Sequence, residues 1–562
     1  MFRNVLLAAL LLSLTSHCSP CRAQEKSSGV DTSTVASPAP RKATLNPEEL
    51  IDRIFAREQY INAATLSYTP LVETYIQQTR KDLTLGLVPV MDRYFLGQAD
   101  FARRIRIRPI VEHPRTGNLL WSFQPDGFLY MIFLDLGGFQ KANYKLEYLR
   151  REFLGEVRCY VFDVAPTKKS HGAHFLGRIW VEDEELTVVR FNGSYQPDRR
   201  VSLPSLIEDH WFHFDSWRTN VKPGLWLPSY IYIQEINKQD DFIVPEFKAQ
   251  TRLWGYSQNA RSREEEFTRI LLETSSPVID ESSRKDYSPV EADREWRREA
   301  ERNVLDHLER DALLAPPGPV DTVLDTIVNN IVLTNHLEDT LDLHCRVLLT
   351  GNLELFSLEN TIVVSRGLLD VVPDEATLAA LLSQEIADAM IPKPYQSRYA
   401  FSDTVRINVT EVMKKLSFRD NKEELAQIQA KSFELLQNSP YKGKLLAAGL
   451  FLEQLHTQAK SLPQLVSSRL GNRIQLANQI AAAAPPLERA NIDQIAALPV
   501  GSRVRLDAWS DQIALMKTAK VVPVSAGEKL PLEVAPLRPF LTRFQQTAAS
   551  SASPDATAAQ KN

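Results

Sequence analysis

Apolar and polar positions alternate, or run in β-branched and aromatic residues, between about residues 98 and 272, and this pattern predicts strands. The clearest runs are R-C-Y-V-F-D-V-A, F-L-G-R-I-W-V-E and L-T-V-V-R-F-N-G-S-Y, all within residues 158–195. The D-E-E tripeptide between Trp180 and Leu186 predicts a tight hairpin turn. Later, L-W-L-P-S-Y-I-Y-I-Q-E and A-Q-T-R-L-W-G-Y-S continue the pattern. The sequence therefore predicts one antiparallel sheet of many strands.

A helix is predicted at the start of this region. Asn46 is a good cap, Pro47 fits the first helical position, and Glu49 completes a box-like start. Apolar residues then follow at helical spacing: Leu50, Ile51, Ile54 and Phe55.

The second half of the chain, to about residue 483, reads as mostly helical. The exception is C-R-V-L-L-T and T-I-V-V-S within residues 345–365, which predict a hairpin. Pro373 and Asp374 begin a further helix, with aspartate as its cap. Its apolar stripe is Leu378, Leu382, Ile386 and Ala389. After Pro485 and Pro486, S-R-V-R-L-D-A-W and I-A-L-M-K predict a short β module.

A chain of 562 residues is too long for a single core, so several domains are expected. The predicted class is α+β, an N-terminal antiparallel β domain with a helix followed by a mostly helical domain. Ser- and Pro-rich or charged stretches separate the predicted segments. These are 1–23 signal peptide, 24–45 disordered linker, 46–274 β domain, 275–290 linker, 291–484 helical domain, 485–545 C-terminal module and 546–562 disordered tail.

The N-terminus has the three parts of a secretory signal peptide. Arg3 precedes the apolar run Val5–Leu14, and small residues at Cys21 and Ala23 suit cleavage after Ala23. The run is too short to span a bilayer as an anchor. A lipoprotein is the alternative, because L-T-S-H-C ends at Cys18. The mature protein is therefore expected to be periplasmic or secreted.

Charge and cysteine content narrow the function classes. A net charge of −5 gives no indication of a nucleic-acid partner, which usually needs a basic surface. After cleavage only Cys159 and Cys345 remain, and each is expected to be a buried small hydrophobic residue.

The histidines form no catalytic or metal motif. His171 and His174 are expected to be solvated in a loop, His210 and His213 to lie on a strand, and His456 to be exposed on a helix.

The order of a cysteine-tyrosine strand, V-A-P-T-K-K, L-G-R-I-W-V-E and V-V-R-F-N-G resembles the LolA/LolB-like lipoprotein carriers over about residues 46–272. The resemblance implies a curved half-barrel with an apolar concave face that shelters acyl chains. The alternative is a sheet whose inner face is filled by its own helix.

A second resemblance begins at Q-E-I-A-D, from Gln384 to Asp388, which has the spacing of the zinc-binding H-E-x-x-H motif. Upstream stand V-S-R-G-L-L and D-E-A-T-L-A-A-L-L-S, and downstream stand E-E-L-A-Q-I-Q-A and V-S-S-R-L-G-N-R-I. This ordered series resembles the HtpX/BepA-type zinc metallopeptidases, which include the CAAX prenyl proteases, over residues 300–480.

The resemblance implies roles residue by residue. Glu385 matches the general base and Glu423 the third zinc ligand, whereas Gln384 and Asp388 stand where the family has its two histidines. The remaining site positions are Gln427, Ser467, Arg469 and Arg473. Zinc favours nitrogen and sulfur ligands, so no metal is expected; a cluster of Asp388, Glu385 and Glu423 suits a hard cation better. A further hypothesis pairs these carboxylates with Arg469 or Arg473.

Three functions follow from these patterns. The first is a non-catalytic pseudopeptidase of the cell envelope that binds a polypeptide or envelope protein. The second is an active metalloendopeptidase with rearranged ligands and zinc as its cofactor. The third is a lipid or lipoprotein carrier that uses the β domain.

Overall fold

The structure is a computed structural model. It describes residues 46–82, 86–101, 105–110, 126–167, 174–196, 210–237, 246–256, 302–358, 360–391, 422–467, 470–471, 480, 504–506, 513–515 and 539–544. The predicted signal peptide, both predicted linkers and the predicted tail lie outside the described residues. Residues Pro47–Asn562 form one compact unit.

Ten strands form one open antiparallel sheet. They are β1 (Leu71–Asp82), β2 (Gly86–Asp100), β3 (Arg106–Pro109), β4 (Tyr144–Leu154), β5 (Val157–Pro166), β6 (His174–Glu182), β7 (Val188–Gln196), β8 (His210–Lys222), β9 (Leu225–Asn237) and β10 (Glu246–Trp254). Their order in the sheet is β3-β2-β1-β10-β9-β8-β7-β6-β5-β4. The predicted antiparallel sheet and the β6–β7 turn are confirmed.

The sheet begins earlier than the sequence pattern predicts. Strands β1 and most of β2 lie before residue 98. On β1, the side chains of Glu73, Gln77 and Thr79 are buried although they are polar. Their burial removes the alternation by which a strand is recognised in a sequence.

The predicted first helix is confirmed as α1 (Pro47–Thr65). Glu48 and Glu49 lie in its first turn, where negative side chains stabilise a helix by interacting with the positive end of its dipole. A short helix, α2 (Asp126–Leu129), and the 3-10 turn Tyr130–Ile132 precede β4. We call residues 126–143 the cover.

The two faces of the sheet bury different rows of side chains. On the face that we call the helix face, the register aligns Ile179, Phe191, Ser216 and Ile231. On the opposite face, the docking face, it aligns Trp180, Arg190, Trp217 and Tyr230. Both faces are therefore covered by protein.

Five labelled helices follow in the second half of the described chain, after a helical run at residues 302–310. They are α3 (Pro319–Thr334), α4 (Arg366–Val371), α5 (Glu375–Met390), α6 (Lys422–Gln437) and α7 (Leu445–Ser461). In the described residues no helix is both long and apolar enough to cross a bilayer.

The predicted hairpin at residues 345–365 is wrong. Strand β11 (His344–Leu348) pairs in parallel with β13 (Thr361–Ser365). Between them in sequence lies β12 (Leu355–Leu358), which pairs antiparallel with β13. Two neighbouring apolar runs look alike in sequence whether they pair directly or across a crossover. In the C-terminal module, β14 (Val504–Leu506) and β15 (Ile513–Leu515) pair antiparallel, as expected of a short β module.

Helix α5 begins as predicted, because the Asp374 side chain accepts a hydrogen bond from the Thr377 backbone N–H at 2.8 Å. The predicted apolar stripe accounts for only part of the buried surface of this helix. Every residue from Ala376 to Asp388 is buried, polar ones included. Since helices α3, α6 and α7 and strand β12 all contact it, α5 has no solvent face in that stretch.

The docking face packs against the helical half of the chain. Trp180, Trp217 and Tyr230 belong to the same hydrophobic core as Ile362 and Leu382. Polar contacts reinforce this junction. The Trp254 indole N–H donates to the Ala312 carbonyl at 2.7 Å, and the Arg252 guanidinium donates to the Leu349 carbonyl at 3.2 Å.

A segment near the end of the chain, residues 539–544, returns to the sheet. The Glu156 backbone N–H donates to the Leu541 carbonyl at 2.9 Å, and the Leu541 side chain is buried. Arg543 pairs with Glu182 and Asp183, both at 3.3 Å. The segment therefore spans the turns that join β4 to β5 and β6 to β7.

Candidate functional site

The helix face carries a continuous layer of aromatic rings. The ring centroids of Phe175 and Phe191 lie 5.7 Å apart, those of Phe191 and Phe214 6.0 Å, and those of Tyr195 and Phe214 5.0 Å. Phe175, Phe191 and Phe214 are fully buried. We call these four rings, together with Phe212 and Phe247 of the sheet, the aromatic layer.

The aromatic layer continues towards β10 and the cover. Phe247 lies 5.1 Å from Phe212 and 6.2 Å from Phe128 of the cover, between ring centroids. Rings that meet at these distances and tilts gain about 0.5–1.5 kcal/mol beyond area burial. The layer is thus a dense apolar surface with the cover on its outer side.

A cross-strand glycine pair gives the layer its shape. Gly177 and Gly193 stand opposite each other on β6 and β7. A Cβ on Gly177 would lie 2.2 Å from the Asn192 carbonyl oxygen and 2.9 Å from the Phe175 ring. Phe175 therefore fills the space that two missing side chains leave, which closes a gap in the sheet surface.

Helix α1 is fixed to the helix face by a buried ion pair. The Arg218 guanidinium donates to both carboxylate oxygens of Glu58, at 2.7 and 2.6 Å, and also to the Val188 carbonyl at 2.9 Å. Both partners of the pair are at most 1% exposed. Arg57 adds a bond to the Thr187 hydroxyl at 3.0 Å. These contacts all lie near the end of the sheet where β6 ends and β7 begins.

The other end of the sheet holds the cover through side chains. The Tyr195 hydroxyl donates to the carbonyls of Tyr130 and Phe133. Asp135 of the cover accepts from the Tyr144 hydroxyl at 2.6 Å and lies 2.9 Å from His174 Nδ1. Burial, with Asp135 nearby, raises the pKa of Tyr144 and of Tyr195, so both stay protonated as donors.

The expectation of a solvated His174 is wrong. His174 is the first residue of β6, is 7% exposed, and pairs with Asp135 of the cover. The sequence around His174 resembles a loop, and its partner Asp135 lies 39 positions away, so no local pattern indicated the pair. His171 lies outside the described residues. His210 and His213 lie on β8, as predicted. His456 is half-buried on α7 rather than exposed.

The residues of the metallopeptidase-like motif occupy the centre of α5. Gln384, Glu385 and Asp388 are all at most 1% exposed. Asp388 accepts a hydrogen bond from the Ser357 hydroxyl of β12 at 3.2 Å. Neither side-chain polar atom of Gln384 has a hydrogen-bond partner in the described part of the chain. A buried amide in that state costs about 1–3 kcal/mol.

The other motif positions are placed differently. Glu423 and Gln427 lie on α6 and are exposed. The Ser467 hydroxyl accepts from the Leu470 backbone N–H at 3.3 Å. Arg469 and Arg473 lie outside the described residues, so the ion-pair hypothesis stays a prediction. Within the residues described, no three His, Cys, Asp or Glu side chains come together as a metal site.

Both cysteines are buried free thiols, as predicted. Burial raises the pKa of Cys159 to about 12 and also raises the pKa of Cys345. Neither thiol is available as a nucleophile or as a ligand at neutral pH.

Sequence reasoning identified the strands that carry the aromatic layer but missed its polar contacts. Phe175, Phe191 and Tyr195 alternate along β6 and β7 and could have been assigned to one face. The pairing of Glu58 with Arg218 spans 160 positions, and no local pattern signals it.

No protein-family model and no curated protein matches this chain. Solved structures that are similar to it include the following two. One is an outer membrane lipoprotein-sorting protein domain from Vibrio parahaemolyticus, with 10% identity, 41% of this chain and 100% of that chain covered, and a TM-score of 0.19. The other is a DUF1329 family protein from Desulfovibrio piger, with 12% identity, the same coverages and a TM-score of 0.19.

At TM-scores this low, neither similarity bears on function. The HtpX-type resemblance rests on the sequence segments alone.

Proposed function

We propose that this protein is an exported cell-envelope protein that binds the acyl chain of a lipid or lipoprotein. The chain would lie between the helix face of the sheet on one side and α1 and the cover on the other. The aromatic layer carries the proposal. It is a continuous apolar surface whose outer side is closed by one helix and one short segment rather than by another sheet. The helical half of the chain, packed on the docking face, serves as a scaffold.

Access to the layer is uneven along the sheet. At one end α1 is tied down by the buried pair of Glu58 and Arg218. At the other end α1 is held by apolar packing, which includes the Phe55–Phe139 ring contact, and by an exposed pair of Asp52 with Lys141. Exposed ion pairs contribute little, so α1 and the cover separate most easily at the end near His174.

Burying an acyl chain supplies enough free energy to displace these contacts. Each methylene removed from water contributes about 0.8 kcal/mol, so a chain of about 16 carbons contributes roughly 12 kcal/mol in gross terms. Separating α1 from the cover, which stays bonded to Tyr195 and His174, exposes apolar side chains such as Ile54, Phe55 and Phe139, each worth about 1.5–3 kcal/mol. Exchange of α1 for ligand is therefore close to balanced, as a carrier that must also release its cargo requires.

The test is photo-crosslinking of the full mature protein with palmitate that carries a diazirine in its chain. The expected crosslinks fall on peptides of β6, β7 and β8 that contain Phe175, Phe191 and Phe214, and excess unlabelled palmitate suppresses them. Crosslinks confined to α5 or to the docking face, or no saturable labelling, would contradict the proposal.

A second candidate is the non-catalytic pseudopeptidase that binds a polypeptide. The observation that favours it is the fully buried Gln384, whose amide has no partner in the described chain although an apolar residue would fit a buried helix better. The test is elemental analysis after zinc loading and dialysis. About one zinc per chain, the occupancy of a catalytic site, would instead favour an active metallopeptidase; loss of cleavage in Glu385→Gln would then be expected.

A further inference from the structure

His174 has one satisfied nitrogen and one unsatisfied nitrogen. Its Nδ1 lies 2.9 Å from Asp135 Oδ2 and 3.2 Å from the Tyr144 hydroxyl. Its Nε2 is buried and has no hydrogen-bond partner within the described residues. The side chain as a whole is only 9% exposed, so water does not readily replace that partner.

The surrounding bonds determine which nitrogen carries the proton. The Tyr144 hydroxyl has one hydrogen, which it donates to Asp135 over the shorter distance of 2.6 Å. Its oxygen accepts from the Phe175 backbone N–H at 3.1 Å. His174 Nδ1 must then donate to the Asp135 carboxylate, because two acceptors do not bond each other. In the neutral imidazole this leaves Nε2 as a hydrogen-bond acceptor.

The ring contacts place this acceptor at the edge of the apolar surface. Centroid distances of 4.8 Å for Phe55–Phe139, 5.0 Å for Phe139–Tyr144 and 5.5 Å for Tyr144–His174 form one chain of rings from α1 to the imidazole. The Tyr144 hydroxyl contacts His174 and also accepts from the Phe175 backbone N–H at 3.1 Å, so the imidazole lies at the end of β6 where the aromatic layer begins. A chain that lies along the layer and ends there would have its polar end near the imidazole.

We propose that His174 Nε2 accepts a hydrogen bond from the polar end of the bound molecule, which rests on the proposed acyl-chain binding. The ligand class is an acyl chain whose head carries a hydrogen-bond donor, an amide N–H or a hydroxyl. An acylated amine of a lipoprotein and an acylglycerol share this chemistry, whereas a simple alkyl ester lacks it. Asp135 and Tyr144 act as positioning residues that fix the tautomer of His174.

The experiment is competition against a fluorescent palmitate probe on the full mature protein at pH 7.5. The competitors have the same chain and different heads: N-methyl palmitamide, 1-monopalmitoylglycerol and methyl palmitate. The two donor-bearing heads are expected to compete at concentrations about tenfold lower than the ester, a typical gain for one buried hydrogen bond. The stronger of the two identifies the source of the ligand.

Two variants isolate the nitrogen. His174→Asn keeps a donor near the Nδ1 position but lacks an acceptor at Nε2, so the preference for donor heads should disappear while the ester competes as before. His174→Gln places an amide oxygen near the Nε2 position and should retain part of the preference. His213→Gln, on the docking face, is the control and should keep it fully. Thermal unfolding of each variant checks that it is folded.

The outcomes separate the two proposals. If the probe binds but wild type shows no preference for donor heads, or His174→Asn keeps that preference, the role of His174 is refuted while acyl-chain binding stands. If the probe does not bind wild type at all, both are refuted.

Discussion

Asp92 on β2 joins the sheet to the helical half of the chain. Its carboxylate accepts from the backbone N–H of Gln464 at 3.0 Å and of Leu465 at 2.7 Å, and from the Tyr75 hydroxyl at 3.2 Å. Burial raises the pKa of Asp92 from 3.8 to about 6, although the three bonds lower it in part. Burial also raises the pKa of Tyr75, which remains a donor.

The sign of the effect follows from linkage. Between about pH 4 and 6 the folded protein holds a proton on Asp92 that the unfolded chain has released, so acidification through this window stabilises the folded state. A pKa change from 3.8 to about 6 corresponds to about 3 kcal/mol. Because pH 4 lies only just above the unfolded pKa of 3.8, part of this effect is still missing there, and we expect the unfolding free energy of wild type, relative to Asp92→Asn, to rise by roughly 2 kcal/mol from pH 7 to pH 4.

The assay is urea unfolding followed by tryptophan fluorescence at pH 4, 5, 6 and 7. Because asparagine can still accept from both backbone N–H groups, Asp92→Asn should unfold cooperatively at every pH. Asp92→Ala leaves both groups without that acceptor and should cost about 1–3 kcal/mol at pH 7. Asp52→Asn, which removes an exposed carboxylate, controls for net charge. A constant difference between wild type and Asp92→Asn across this range would refute the reasoning.

Three further predictions concern buried or closely packed residues. Glu58→Gln leaves the Arg218 charge buried without its partner, so chemical denaturation should show a loss of about 3–5 kcal/mol; a loss below 1 kcal/mol would contradict a buried pair. Gly177→Ala forces a Cβ against the neighbouring strand and should lower the melting temperature by several degrees, as calorimetry would measure; an unchanged value would mean that the strands separate easily there. Cys159 and Cys345 should react with a chromogenic disulfide reagent only after denaturant is added, and rapid reaction in buffer would disprove their burial.

Local signals in the sequence identified local structure. Asp374 caps α5 as expected, and Pro47 begins α1, because caps depend on a few adjacent residues. The strands after residue 98 were recognisable because the alternation of apolar and polar residues is also a local pattern. Strand β1 was not, since Glu73 and Gln77 are polar and their burial depends on partners distant in sequence, such as Tyr94 for Glu73.

The candidate site was predictable only in its apolar part. The aromatic positions of β6 and β7 follow from alternation. The polar ties do not, because Asp135 meets His174 across 39 positions and Glu58 meets Arg218 across 160. The burial of Gln384 in α5 could not be predicted either. Whether the polar side of a helix is buried depends on the elements that pack against it, and these are distant in sequence.

The segment 539–544 has a consequence for biogenesis. Arg543 and Glu182 meet across 361 positions, so the turns of the sheet gain these contacts only when the last part of the chain has been made. At typical synthesis rates, the roughly 280 residues that separate the segment from the sheet take about 15–60 s to appear. During that interval the Glu156 backbone N–H lacks the Leu541 carbonyl, and Glu182 and Asp183 lack Arg543. A chain without residues 539–544 is expected to lose these contacts at both turns.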